Sequence, residues 1–229
     1  VLFVTIEQSA RELEAKSLAR MMRERSGDAA AASASEITSR ARREAWPEAK
    51  TAALLDACDA YAATVAQRLR ILEGTRQPTV ADVAAAARMM ADHDGRAPVV
   101  FIDYLQLLAP GEDRDTDKQA VDRNVMALRQ MARDMRAPVF AISSLNRSSY
   151  SEGVTLDSFK ESGAIEYGCD VLIGLQPAGM RERLDKASKD RQKREADKLT
   201  REHKSMFKRP CELVVLKNRN GATPNDGIP

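Results

Sequence analysis

Apolar positions along the chain follow two rhythms. Short β-rich runs at 1–6 (Val-Leu-Phe-Val-Thr-Ile), 99–102 (Val-Val-Phe-Ile), 138–142, 170–175 and 211–216 read as strands, with a weaker run at 69–72. The runs at 1–6, 99–102 and 170–175 hardly alternate with polar residues, the pattern of strands covered on both faces of a parallel sheet. Between the runs, apolar residues recur at helical spacing. Leu13, Ala15, Leu18, Met21 and Met22 mark a helix ending near Arg25. Leu54, Leu55, Tyr61 and Val65 mark one over 52–66, and Val83, Ala86, Ala87 and Met90 another. Val121, Val125, Leu128, Met131 and Met135 mark the clearest amphipathic helix.

Caps agree with this reading. Ser9 with Glu12 makes a capping box, and Thr79 with Asp82 repeats the spacing. Pro47 suits a helix start, while Gly27 and Gly95 suit helix ends. Ala-Pro leads into the strands at 99 and 139 alike. Strand–helix–strand alternation predicts a parallel sheet with right-handed crossovers.

Three stretches fit neither rhythm. Residues 29–35 are small and polar, a surface loop or weak helix, and 112–118 is a charged loop. Residues 181–204 are almost entirely charged, with Glu182–Lys186, Asp185–Lys189, Asp190–Arg194 and Asp197–Arg201 in the favourable i,i+4 order. With so few apolar positions, the segment from about 180 to 209 reads as a solvated helical arm or partly disordered insert. A DNA-contacting or subunit-contacting arm is the sharper alternative.

Composition narrows the class. The chain has 229 residues, enough for one large α/β domain over 1–229, and only 4% aromatics, so aliphatic residues and alanine build its core. A net charge of +2 argues neither for nor against nucleic acid. Cys58, Cys169 and Cys211 are scattered and odd in number, which suits a reducing cytoplasm. Nothing approaches the ~18 apolar residues of a membrane span. Val1 lies inside an apolar run, so the expectation is a fragment of a longer protein.

Several strands end in polar residues: Glu7, Asp103, Ser143-Ser144-Leu145-Asn146-Arg147, and Lys217 with Arg219. Each has a plain reading, such as an Asp starting a loop, a Glu at a helix N-terminus or a basic surface turn. Parallel strands also gather their carboxyl ends on one edge, where ligands bind. There a carboxylate for metal, a second to orient water and cations for phosphates are the parts of phosphoryl transfer.

Together these residues resemble the replicative DnaB-type DNA helicase family, in its RecA-like ATPase domain. Residues 1–8 are similar to the strand of its catalytic glutamate. Phe-Ile-Asp-Tyr-Leu-Gln-Leu-Leu at 101–108 is similar to its Walker B strand, and 142–148 to the next motif. Lys-Glu-Ser-Gly-Ala-Ile-Glu at 160–166 resembles its DNA-facing loop, and Lys-Asn-Arg-Asn-Gly at 217–221 its terminal basic motif. The resemblance implies an α/β, RecA-like P-loop NTPase core, mostly parallel sheet flanked by helices. It implies that Glu7 polarises the attacking water and that Asp103 holds Mg²⁺ through water. Ser144 and Arg147 would lie at the nucleotide. Lys217 and Arg219 would reach the γ-phosphate bound to a neighbouring subunit, and Lys160, Glu161 and Gly163 would meet single-stranded DNA.

ATP and Mg²⁺ are then the cofactors. Single-stranded DNA, further copies of the chain in a hexameric ring, a helicase loader and a primase are the implied partners, with no membrane. Two departures qualify this. Ser144 stands where the family usually has Gln, and no Gly-x-x-x-x-Gly-Lys-Ser/Thr loop occurs in the chain. This polypeptide alone is therefore expected to be inactive. The charged insert and the Asn-Arg-Asn-Gly ending look more like helicases of phages and mobile elements. The alternatives are a recombinase-type or repair-type RecA-like ATPase, and a non-hydrolysing DNA-binding or assembly subunit.

Overall fold

The computed structural model describes residues 1–74, 77–110, 115–146, 149, 153–159, 162–206 and 208–223. The chain divides into two compact units, Val1–Ala109 with Met131–Ile142, and Pro110–Gln130 with Ser143–Pro229.

In the first unit, β1 (Leu2–Thr5), β2 (Arg70–Glu73), β3 (Val100–Asp103) and β4 (Val139–Ala141) pair in parallel, in the order β2-β1-β3-β4. Leu2 lies opposite both Arg70 and Val100, and Val100 opposite Val139. Leu2, Val4, Val100 and Ile102 share one face and are buried. The other face carries Ile71, Phe3, Phe101 and Phe140 at one level, so three rings stack across the sheet with centroids 6.4 and 4.7 Å apart. Phe140 and Ile142 are about half exposed, so the expected burial on both faces holds on one face only.

Helices α1 (Ala10–Ser26), α2 (Ala34–Thr38), α3 (Arg40–Glu44) and α4 (Glu48–Tyr61) fill the crossover from β1 to β2. Both strands of the next crossover flank α5 (Val80–Asp94), whose buried residues are Val80, Val83, Ala84 and Ala87. Ser9–Glu12 and Thr79–Asp82 close as reciprocal capping boxes, and Gly27 and Gly95 end α1 and α5 at positive φ, where glycine carries no Cβ penalty. The small polar stretch at 29–35 is not a bare loop. Ser33 caps α2 through a third capping box, and Ala32 and Ile37 join Ala15, Met22, Ala53 and Ala57 in one core cluster. A five-residue helix gives too few turns for periodicity to register. Arg25 on α1 holds Asp56 on α4 through two bonds of 2.6 and 2.8 Å.

Helix α6 (Asp117–Met135) buries Val121, Leu128 and Met131, as its spacing requires. In the second unit α7 (Ser162–Gly168) precedes β5 (Val171–Pro177), then come α8 (Met180–Asp185), α9 (Lys189–Ser205) and β6 (Cys211–Asn218). The last two strands do not extend the parallel sheet among the described residues. They form a separate antiparallel pair, Pro177 opposite Cys211 and Val171 opposite Asn218. Helices α8 and α9 leave and re-enter the pair at one end, so the chain returns beside β5 in reverse. Strand β5 alternates, with Leu172 and Gln176 buried and Val171, Ile173 and Leu175 exposed. The charged segment is thus a helical pair with its own core, Met180, Leu184, Ala196 and Leu199, beside buried His203. Of its i,i+4 pairs, Glu182–Lys186 forms at 2.5 Å, while Asp190–Arg194 and Asp197–Arg201 do not close. No helix among the described residues is long and apolar enough to cross a membrane.

Candidate functional site

Glu7 and Asp103 stand at the carboxyl ends of neighbouring parallel strands. Thr5 pairs with Asp103 in register, and the Ile6 amide donates to the Asp103 carbonyl at 3.2 Å. Buried Thr5 shapes the turn that follows β1. Its hydroxyl donates to the Gln8 carbonyl at 2.7 Å and accepts from the Gln8 amide at 3.2 Å, which leaves Glu7 exposed at the bend. The Asp103–Tyr104 peptide is cis, and the Leu105 amide donates to the Ile142 carbonyl at 2.8 Å just beyond β4.

Neither the Glu7 nor the Asp103 carboxylate is hydrogen-bonded or ion-paired to any described residue, although Asp103 is half-buried. An unpartnered half-buried carboxylate at a strand end fits a hard cation such as Mg²⁺, which takes one or two carboxylates and completes its shell with water and phosphate oxygens. Among the described residues no group of three or more His, Cys, Asp or Glu is placed to hold a metal ion.

Lys217 and Arg219 belong to the second unit and are already engaged. The Lys217 ammonium donates to the carbonyls of Glu166 and Cys169 at 2.5 and 2.9 Å, so it caps the carboxyl end of α7. Arg219 pairs with Asp170 at 2.8 Å and donates to the Tyr167 carbonyl at 3.4 Å. Burial pushes the Cys169 thiol up, with the Lys217 cation opposing, so this sulfur stays a protonated packing group. Gly168 sits close to Val125 of α6, where a Cβ would come within 2.3 Å of Cγ1. The α7 end is therefore fixed by close packing and by two cations. Gly163, by contrast, is exposed with nothing within 4 Å of a Cβ, leaving its backbone open to approach.

Ser144 lies three residues past β4 in the loop of the next motif, where the Ser143 hydroxyl donates to its carbonyl at 3.5 Å. Arg147, Lys160 and Glu161 lie outside the described residues. Two features escaped the sequence. Asp170 is one, because its partner is 49 positions away and no spacing rule links them. Asn146 is the other. Its amide donates to the Ser158 carbonyl at 2.7 Å and its side chain to the Asp157 carbonyl at 2.7 Å, beside an isolated antiparallel bridge from Leu145 to Phe159. The loop after β4 is thereby tied by main-chain bonds to the segment leading into 160–166.

Comparison with known proteins matches residues 1–226 to the family described as the DnaB-like helicase C terminal domain. The replicative DNA helicase DnaB of Leifsonia xyli is 30% identical over 148 residues, covering 63% of this chain and 28% of that protein. That of Geobacillus stearothermophilus is 29% identical over 154 residues, covering 66% and 29%. The chain thus spans under a third of these relatives' length. A solved DnaB-like replicative helicase, studied with its interactions with primase, superposes with a TM-score of 0.72 at 20% identity, over 98% of this chain and 46% of that one. A chain solved as an ATPase domain gives 0.72 at 21% identity, over 97% and 68%. These two likenesses carry the fold.

Proposed function

The chain belongs to the DnaB-like helicase C-terminal domain family, and from that premise we propose that it is the ATP-hydrolysing domain of a replicative DNA helicase. In this reading a ring of subunits, six in the family's pattern, binds Mg²⁺-ATP at each boundary and moves along single-stranded DNA. Glu7 holds and polarises the attacking water, and Asp103 holds a water of the Mg²⁺ shell. Ser144 and Arg147 face the nucleotide from the loop after β4. Lys217 and Arg219 reach the γ-phosphate bound by the neighbouring subunit, and Lys160, Glu161 and the open backbone at Gly163 meet the DNA phosphates, contacts that carry no sequence information. A primase and a loader are the partner classes that go with this role.

The observation that carries the reading is the pair of carboxylates, Glu7 and Asp103, at adjacent parallel strand ends, neither bound to any described residue. For Asp103, half-buried charge without a described partner is costly in a structural role and useful at a cation–phosphate site, while exposed Glu7 is open to water. The chain contains no phosphate-binding Gly-Lys-Ser/Thr loop, so the 229 residues alone are expected to bind ATP weakly and to unwind nothing.

Arg219→Ala in the full-length protein tests the assignment. An arginine supplied in trans contributes roughly 10³–10⁵ to turnover, so ATP hydrolysis should collapse by that order while nucleotide affinity, measured by calorimetry, stays within a few-fold. Loss of affinity as large as the loss of turnover would sink the trans-acting role.

A further inference from the structure

The charged segment has a local charge that the bulk value hides. Residues 181–209 hold twelve Lys and Arg against six Asp and Glu, a net +6, while the whole chain is +2; the other 200 residues are therefore at −4. Such a concentration of one sign in an otherwise acidic chain is an electrostatic footprint for a polyanion.

The fold gives this charge a defined face. Helix α9 buries Ala196, Leu199 and His203 toward its α8 side. Arg191, Arg194, Lys198 and Arg201, spaced 3, 4 and 3 apart, fall on one stripe opposite that buried edge, and all four are exposed. No hydrogen bond or ion pair joins their side chains to any described residue, and the acids Asp190 and Asp197 flank the stripe without closing on it. The Arg183–Glu202 pair at 2.9 Å and the α8–α9 core fix the orientation of the helix, so these cations are presented rather than loosely tethered. Ten residue steps of helix make a stripe about 15 Å long, enough to run beside four or five phosphates at ~3.4 Å per strand step.

We propose that the α9 stripe is a second DNA-binding surface, one that takes the phosphate backbone of duplex DNA. The choice of duplex follows from composition and rigidity. Single-strand sites interleave cations with aromatic stacking platforms, and α9 contains no Phe, Tyr or Trp. Four cations on a straight, rigid face match the denser and stiffer charge row of a duplex, one negative charge per ~1.7 Å. The site is also separate from the one built around α7. The arm springs from the Pro177–Cys211 end of the β5–β6 pair, whereas Arg219 and α7 adjoin the Val171–Asn218 end. Six strand steps set the two ends about 20 Å apart. Among polyanions, the choice of DNA rests on the helicase reading; the affinity for a phosphate row does not.

Fluorescence anisotropy of the 229-residue chain with a 20-base-pair duplex and a 20-nucleotide oligo-dT, titrated between 50 and 300 mM salt, tests this. The R191Q/R194Q/K198Q/R201Q variant keeps good helix formers at every position, and circular dichroism checks that α9 persists. Duplex affinity should fall at least tenfold, and the slope of log affinity on log salt should become shallower by about 3 to 4. A K16Q/R20Q/R40Q/R42Q control removes the same charge from the first unit and should change affinity less than twofold. Equal losses in the two variants, absence of duplex binding by the unaltered chain, or a loss confined to the single strand would each overturn the proposal. In the full-length protein the α9 variant should retain ATP turnover stimulated by oligo-dT. Collapse of that turnover would place α9 in the α7 site and end the claim of a separate surface. Failure of Arg219→Ala to affect turnover, with the α9 result intact, would count against the helicase reading alone.

Discussion

Two sets of charged residues stand at strand ends in this protein, and they are held in opposite ways. In the parallel sheet, Glu7 and Asp103 follow β1 and β3 and engage no described side chain or backbone donor. In the antiparallel pair, Lys217 and Arg219 at the end of β6 are fully engaged, on the α7 carbonyls and on Asp170. The carboxylates engage nothing among the described residues and are open there to a ligand. The cations have a second occupation, so reaching a phosphate means giving up contacts that hold α7 together. Idle charge is free to evolve for chemistry alone, whereas engaged charge couples whatever it touches outside to the helix it holds inside.

After the loss of turnover expected for Arg219→Ala, the largest effect comes from the idle set. Glu7→Gln keeps size and hydrogen-bonding capacity while removing the charge that orients water. In the full-length protein turnover should fall by about 10²–10⁴-fold, the usual range for a general base, with the melting temperature of the chain unchanged. A melting temperature lowered by several degrees would show that Glu7 has structural work after all and would dissolve the contrast with Lys217.

The engaged set should also show in stability, because its cations hold the fold as well. Lys217→Met removes a half-buried cation from two carbonyls at the end of α7, a loss of about 1–2 kcal/mol of stability in the 229-residue chain, given the usual range for charged caps. Hydrogen exchange at the amides of 166–170 should accelerate while that at β1 and β3 stays fixed. Unchanged exchange in α7 would mean that the cap is ornamental. Asp170→Asn should cost less, below about 1 kcal/mol, because its pair with Arg219 is substantially solvated. An Asp170 effect as large as that of Lys217 would show that Arg219, too, is a structural cap.

How far the sequence reaches differs between the same two regions. The parallel unit was legible in its strands and longer helices, though not in the short α2 and α3. Capping boxes at Ser9 and Thr79, glycine stops at Gly27 and Gly95, and unbroken strand runs are local signals, and they position Glu7 and Asp103 without reference to distant residues. What escaped is set by partners far apart in sequence. Strand β6 pairs antiparallel with β5 because α8 and α9 turn the chain back, and the four scattered apolar residues of that helical pair were too sparse to predict a core. Asp170 meets Arg219, and Asn146 meets the carbonyls of Asp157 and Ser158, through contacts no periodicity announces.

Engaged charge also exists in the first unit, and it gives the smallest and most specific prediction. Glu36 accepts from the Ser33 amide and hydroxyl, each at 2.8 Å, and from the Lys50 ammonium at 2.9 Å. The Ser33 amide first, then Lys50 and the Ser33 hydroxyl, hold its carboxyl down from an ordinary 4.5 to about 2. A carboxyl whose value is lower in the folded state lends stability that is complete above about pH 4.5 and fades as pH falls toward 2. Urea unfolding of the chain should therefore show stability lost between pH 4.5 and pH 2, and Glu36→Gln should flatten that part of the profile. The group is about a third exposed, so the change is small and should shrink further in high salt. A profile that keeps its full acid loss in Glu36→Gln would show that the fold does not draw stability from this carboxylate.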